Sequence, residues 1–224
     1  MKRPYSVNPT IFTNPTSSSA SYLLGLIYAD GYIRYSAEKY KRIAKIIIQC
    51  VTEDMNTIKA VFADTGRWNF SIKKFKNNNW KENTKAEINN RPIVEFLVNC
   101  DFLSKSKNSP TKILEYIPNE KQRYFFQGLF DGDGCWSFGY GKKGKTRYFS
   151  ITSTYDQDWI SIIRLFDQLE IIYHIKKYVS KKGRWSCVYV NQKKSLNILH
   201  NYLYPNGFEF GFRRKYDKSI ECMK

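Results

Sequence analysis

The 224-residue sequence is poor in metal-ligating sulfur and nitrogen: it has five cysteines and two histidines. The cysteines (Cys50, Cys100, Cys135, Cys187, Cys222) are scattered, odd in number and never spaced Cys-x-x-Cys, which argues against a disulfide framework and a structural zinc site. With only His174 and His200, a histidine-rich catalytic metal site is disfavoured, and each reads as a surface or packing residue. No run reaches the roughly 18 apolar residues of a membrane span. The first 20 residues lack a signal-peptide core, so an intracellular protein is expected. Acidic residues are also scarce: 20 Asp and Glu against 37 Lys and Arg leave a net charge of +17. The hydrophobic fraction of 42% is that of a globular chain with a proper core, so the excess charge points to a polyanionic partner. Nucleic acid is favoured over a membrane surface because no basic amphipathic helix with a clean apolar face is present.

What the chain does contain is written twice. "YLLGLIYADG" (Tyr22 to Gly31) lies over "FFQGLFDGDG" (Phe125 to Gly134), with Asp30 and Asp133 in register 103 positions apart. The same offset pairs "SIKKF" (Ser71 to Phe75) with "HIKKY" (His174 to Tyr178). An offset of 102 pairs "RPIVEFLVNC" (Arg91 to Cys100) with "KKSLNILHNY" (Lys193 to Tyr202), and Asp54 with Asp156. Four segments in the same order imply a duplication, with halves at 1–112 and 113–224 and a polar linker, Ser104 to Ile113.

Each half reads as αββαββα, an α+β class. A motif helix opens near Ser19 or Asn119, where N-cap residue types precede the apolar run. It is expected to stop at the glycine after the aspartate, through a left-handed turn. Two β-branched and aromatic stretches follow, then a helix, two more strands and a closing helix. Trp68, Trp136, Trp159 and Trp185 fall in or beside these elements and read as packing residues.

Asp-Gly alone is common turn punctuation. The spacing around it adds meaning: Gly25 and Ala29 are four apart, as are Gly128 and Gly132, so each pair lies on one helix face. Small residues in such rows let two helix backbones approach closely. Pairing the motif helices along these faces sets Asp30 beside Asp133, where two carboxylates repel unless protonated or bridged by a cation. Oxygen-only ligands favour Mg²⁺ over zinc.

The two motifs (23–31 and 126–134), at domain spacing and in this element order, resemble those of LAGLIDADG homing endonucleases of the single-chain, two-motif type. The resemblance implies a pseudo-twofold saddle of antiparallel sheets with the motif helices packed at its centre. It implies a metal-dependent endonuclease that cuts both strands of double-stranded DNA across the minor groove, with Mg²⁺ or Mn²⁺ as cofactor and Ca²⁺ as a non-productive substitute. Asp30 and Asp133 would be catalytic metal ligands, with backbone carbonyls from Ala29 and Gly132. A polar residue at the second strand's end maps to Glu53, and to Tyr155 or Asp156. A basic residue opening the closing helix maps to Arg91 and Lys193, although arginine does not give up a proton to activate water. The sixth motif position departs from the pattern in the first half: Tyr28 stands there, against Asp131 in the second.

The saddle would read the major groove. Candidate contacts are Arg34, Lys45, Gln49, Lys73, Lys74 and Lys76, then Lys176, Lys177 and Arg184, with Lys142, Lys145 and Arg147 at a basic hairpin suited to phosphates. Side chains alternate between sheet faces, so Lys73 and Lys74 cannot both reach bases. Both motifs on one chain imply a monomer without an obligate protein partner. Two alternatives share the fold: a maturase that binds intron RNA and cuts nothing, and a transcription regulator. The regulator would bring a helix-turn-helix segment, which is not apparent, and RNA binding does not need both aspartates. The chain lacks intein-type ends and is expected to be free-standing or intron-encoded, in an organellar, phage or bacterial host.

Overall fold

The computed structural model describes residues 7–36, 43–73, 81–141, 144–181 and 183–224. The first half runs α1 (Thr10–Thr13), α2 (Ser18–Asp30), β1 (Gly31–Tyr35), β2 (Ala44–Val51), α3 (Thr52–Thr57), α4 (Lys59–Thr65), β3 (Asn69–Lys73), β4 (Asn83–Asn89) and α5 (Arg91–Asn99). The second runs α6 (Thr111–Leu114), α7 (Asn119–Asp133), β5 (Gly134–Gly141), β6 (Gly144–Thr154), α8 (Ile160–Gln168), β7 (His174–Ser180), β8 (Gly183–Val190), α9 (Lys193–Leu203) and α10 (Arg213–Met223). The αββαββα order therefore appears twice. The first-half middle helix is broken at Ile58 into α3 and α4, and α10 is an addition the sequence pattern did not announce.

Ser17 opens α2, its hydroxyl accepting from Ala20 N at 3.1 Å. Every residue of α2 from Ser19 to Tyr28 is buried, as is every residue of α7 from Tyr124 to Asp131. Such helices are enclosed on all sides rather than amphipathic. They enclose each other: a Cβ at Gly25 would lie 1.9 Å from Phe125 O, and one at Gly128 would lie 2.0 Å from Tyr22 O. The contact is backbone against backbone, along the face of small residues expected from their spacing.

The glycines that end these helices act differently from expectation. Gly31 and Gly134 have φ of −72° and −76°, so the chain passes straight into β1 and β5 in extended form, with no left-handed turn. Glycine is required there for space: an added Cβ would sit 2.2 Å from Ile27 O and 2.6 Å from Phe130 O, respectively.

Each half holds one four-stranded antiparallel sheet, in the orders β1-β2-β4-β3 and β5-β6-β8-β7. Gly31 pairs with Ile48 and Gly134 with Ile151, so the duplication is kept in the register. One face of each sheet packs on the helices through Ile33, Ile46, Ile48, Ala86 and Ile88, and through Trp136, Phe149, Ile151, Val188 and Val190. Alternation turns the opposite faces outward. Trp68 and Trp159 are also buried, and Trp185 stacks on Tyr178 with centroids 5.3 Å apart. No helix among the described residues is long and apolar enough to cross a membrane.

Candidate functional site

Asp30 and Asp133 are the last residues of α2 and α7. Close pairing of these helices brings the two ends together: a Cβ at Gly132 would meet Ala29 Cβ at 2.4 Å and Asp30 Oδ2 at 3.2 Å. Burial, and then the charge of Asp30, pushes the Asp133 carboxyl up to about 6. Burial also raises Asp30, against the opposing pull of Lys105, Lys215 and Arg214. Both aspartates nevertheless remain exposed to solvent, so the tips form an open, crowded acidic pair that favours a cation.

Two lysines answer that charge, and the sequence pattern missed both. Lys105 Nζ donates to Ala29 O at 2.5 Å and to Gly31 O at 2.9 Å. Lys215 Nζ donates to Gly134 O at the end of the other motif helix. Each ammonium caps the negative end of a helix dipole. Burial draws both lysines below their ordinary range, while Asp133 and Asp30 act the other way on Lys105 and Asp131 does so on Lys215. Lys105 lies in the stretch read as a linker, and Lys215 lies beyond the last repeated segment. A lysine shortly after each closing helix was the available signal, but Lys107, Lys112 and Lys218 carry the same signal without reaching the tips.

Both lysines sit on straps that cross between the halves. On the first, Asn108 O accepts from Tyr28 Oη (2.5 Å) and Gln157 Nε2 (3.1 Å), Lys107 O accepts from Asp158 N (2.7 Å), and Ser109 Oγ accepts from Ser161 N (2.9 Å). On the second, Gln127 Nε2 donates to Phe210 O (2.6 Å), Thr57 Oγ1 to Gly211 O (2.7 Å), and Phe212 N to Asp131 Oδ2 (2.8 Å). Gly211 has φ of +120°, and a Cβ there would lie 2.7 Å from Asp131 Oδ2, so only glycine fits. Tyr28 and Asp131, which differ in chemistry at the sixth motif position, therefore do the same work: each holds the strap that carries a lysine.

Asp131 Oδ2 also accepts from Tyr22 Oη at 2.7 Å, and burial pushes the Asp131 carboxyl up to about 7. Asp131 and Asp133 thus bind protons more tightly folded than unfolded. Between about pH 4, the ordinary carboxylate value, and pH 7, the folded state holds the extra protons, so stability falls as pH rises. In EDTA, the melting temperature is expected to be lower at pH 7.5 than at pH 5. Asp131→Asn, neutral and of the same shape, should flatten that slope; an unchanged slope would refute this assignment.

The donor set suits a hard divalent cation. Two carboxylates converge with the Ala29 carbonyl, and the Lys105 ammonium on that carbonyl marks a position where positive charge is accepted. Among the described residues, no group of three or more His, Cys, Asp or Glu is placed to hold a metal. Any ion here would take its remaining ligands from outside the chain.

The other expected site residues make contacts of their own. Glu53 is exposed and 3.5 Å from Lys81 Nζ. Arg91 stacks on Tyr35 at 5.5 Å and reaches Glu95 at 3.4 Å. Tyr35 closes β1, four residues from Gly31, or about 13 Å along a strand. Lys193 shares a groove with Thr146, Arg147 and Asn191, equally far along the second sheet. The structure brings neither basic residue to the carboxylates; Lys105 and Lys215 occupy that position because the straps, not the closing helices, reach the tips.

On the outward sheet faces, Arg34, Lys45 and Gln49 line a groove with Asp30, Tyr32, Lys85 and Glu87. Lys73 pairs with Asn83 on the same face. Lys176 lines a second groove with Tyr148, Tyr178 and Tyr189. Two expected contacts fall on the helix side instead. Lys177 pairs with buried Ser186, Arg184 pairs with Val179, and both cations stack on Tyr155 at 4.7 and 4.0 Å. Arg147 alternates with buried Phe149 and Ile151 but also lines the edge of the Lys176 groove with Thr146 and Asn191. Lys74, Lys76 and Lys142, and the side chain of Lys145, lie outside the described residues. Lys85 and Glu87 went unnoticed; Glu87 bonds Lys45 and Lys85, each at 2.8 Å. Counting alternate residues back from Glu87 would have found them.

Two pseudo-symmetric sheets under a pair of acid-tipped helices define the fold of the homing endonucleases. No protein-family model matches the sequence, and no curated protein does. Solved structures do match. The homing endonuclease I-DmoI in complex with DNA and Ca aligns with a TM-score of 0.57 and 15% identity, over 83% of this chain and 89% of that one. I-DmoI in complex with DNA and Mn gives 0.56 and 16%, over 83% and 96%. The meganuclease I-SmaMI bound to uncleavable DNA gives 0.56 and 14%, over 90% and 88%. At these identities the likeness is one of fold.

Proposed function

We propose that the protein is a site-specific double-strand DNA endonuclease that depends on Mg²⁺ or Mn²⁺. The single observation that carries this reading is the meeting of Asp30 and Asp133 at the paired helix ends, beside outward sheet faces rich in Lys and Arg. Relatives of the same fold, bound to DNA with Ca or Mn, support it. The residues that would hold a cation are Asp30, Asp133 and the carbonyl of Ala29, with Gly132 beside them. Bound there, a divalent ion would acidify a water and offset charge on the phosphate and the leaving oxygen.

The rest falls to the chain itself. Asp30 and Asp133 enter the complex as carboxylates, because approaching cationic charge favours their ionised forms. Lys105 and Lys215, fixed on helix-end carbonyls, place ammonium charge where a phosphate would lie and need no rearrangement to do so. The outward faces, led by Arg34, Lys45, Gln49, Lys73, Lys85 and Lys176, hold the duplex and present donors to base edges.

The test is incubation with the intron-less form of the gene that flanks the reading frame, with Mg²⁺ or with EDTA. Double-strand cutting in Mg²⁺ alone is expected; intron RNA binding with no cutting in Mg²⁺ or Mn²⁺ would favour the maturase. DNA affinity should fall about 10³-fold or more between 50 and 200 mM salt if six or more phosphates are engaged. A flat salt response would remove the sheet faces as the binding surface.

A further inference from the structure

The two straps differ at the residue before the lysine. The residue before Lys215 is Arg214, whereas the residue before Lys105 is Ser104. Arg214 crosses to the first half, where Asp54 of α3 takes it as a fork: Nε lies 2.9 and 2.8 Å from Oδ1 and Oδ2, and Nη2 lies 2.8 Å from Oδ2. Asp54 is 2% exposed, yet the Arg214 side chain is 51% exposed. No hydrogen bond among the described residues uses Nη1. The strand register, offset by 103 between the halves, makes Gln157 the counterpart of Asp54 rather than the Asp156 expected from sequence; Gln157 bonds backbone carbonyls of Asn108 and Asp158 and holds no cation. Arg214 stands one residue before Lys215, which bonds Gly134 O at the paired helix ends, and its partner Asp54 follows β2, whose Ile48 pairs with Gly31 at the end of the Asp30 helix; its charge also bears on Asp30.

We propose that Arg214 is a catalytic residue of the Asp30 centre, donating through its free guanidinium edge to the phosphate cut there, and that Asp54 is the residue that positions it. The proposal rests on the endonuclease reading. A buried carboxylate gripping two nitrogens of a guanidinium fixes the plane of the third, which is how arginine is made ready for a phosphate. Lysine could keep the charge but not the plane. The two centres are therefore chemically unequal, because Asp54 holds an arginine and its counterpart Gln157 does not, so a defect in the Asp54–Arg214 pair falls on one DNA strand.

The experiment uses the full chain and a duplex that it selects from a randomised pool in Ca²⁺, each strand carrying its own 5′ label, with cutting begun by Mg²⁺ or Mn²⁺. Arg214→Lys, which keeps an ion pair to Asp54, is expected to slow one strand about 10²-fold, in the range seen when one charge-stabilising donor is lost. The other strand should change by less than about 3-fold, a difference of under 1 kcal/mol. The double variant Asp54→Asn with Arg214→Gln leaves no lone buried charge and should slow the same strand. Melting temperatures near that of the parent separate this from misfolding. Equal slowing of both strands, or of neither, would overturn the assignment of Arg214. A parent protein that cuts neither strand would instead overturn the endonuclease reading, and this proposal with it.

Discussion

Replacing Asp133 with asparagine is expected to abolish double-strand cutting and to raise the melting temperature in the same protein. The first effect follows from losing an anionic ligand where two carboxylates meet at paired helix ends. A loss of about 10³-fold or more, equivalent to about 4 kcal/mol of transition-state stabilisation, is the expected scale. DNA binding should persist or strengthen, because a negative charge beside the phosphate has been removed. The second effect follows from crowding at the tip, where Asp133 stays exposed to solvent but is pressed against the facing helix end and Asp30. The Asp133 carboxyl is held up to about 6 by dehydration and by Asp30, so its ionised form works against the fold at pH 7.5. A neutral amide of the same size relieves that cost. Asp30→Asn should lose cutting in the same way. Its gain in stability should be smaller, because Lys105, Lys215 and Arg214 already offset the charge at Asp30. Substantial double-strand cutting by either variant in Mg²⁺ would remove the carboxylate pair from the mechanism. A lower melting temperature for Asp133→Asn in EDTA would show that the charge there is stabilising.

The parts of this molecule that could be read from sequence are those governed by periodicity. Gly25, Ala29, Gly128 and Gly132 fall on helix faces because the helix repeat puts residues four apart in one row, and close helix contact followed from their size alone. The outward placing of Arg34, Lys45, Gln49 and Lys176 follows from a repeat of two. The same rule, applied strictly, would have excluded Lys177 and Arg184: Lys177 is one step from Lys176, and Arg184 is three steps from Cys187, which pairs with Lys176. Charge alone was a poor guide to direction.

What remained hidden depends on irregular backbone. Lys105 lies on irregular backbone and Lys215 in the first turn of α10, and both are brought to the helix tips by straps held by bonds between residues far apart in sequence, such as Tyr28 to Asn108 and Phe212 to Asp131. The partnership of Asp54 with Arg214 spans 160 positions. Arg91 and Lys193 drew attention because they open helices in matching places, but the closing helices start at the far end of each sheet. A correspondence between halves locates equivalent positions; it does not say which of them faces the chemistry.

Gly128→Ala is the substitution for which local and tertiary preferences disagree most sharply. In an isolated helix, alanine is favoured over glycine by about 1 kcal/mol. Here the new methyl would lie 2.0 Å from Tyr22 O and 2.9 Å from Leu26 N, both backbone atoms of the facing helix. A flexible side chain could turn aside, but a helix backbone cannot, so α2 and α7 must part by an ångström or more. Overpacking of this kind costs about 1–3 kcal/mol and sometimes more, which exceeds the gain in propensity. Gly25→Ala meets the same obstacle from the other side, with Phe125 O at 1.9 Å. Both variants are therefore expected to melt below the parent, and the folded remainder should cut poorly because the separation is passed to Asp30 and Asp133 at the helix ends. The pair is also a test of coupling. Both substitutions push the same two helices apart, so the double variant should lose less stability than the two single losses combined. Melting curves in EDTA and cutting rates in Mg²⁺ on the same preparations decide the matter. Gly128→Ala melting at or above the parent temperature would mean that the motif helices do not touch backbone to backbone, and that the carboxylates are held together by something other than this contact.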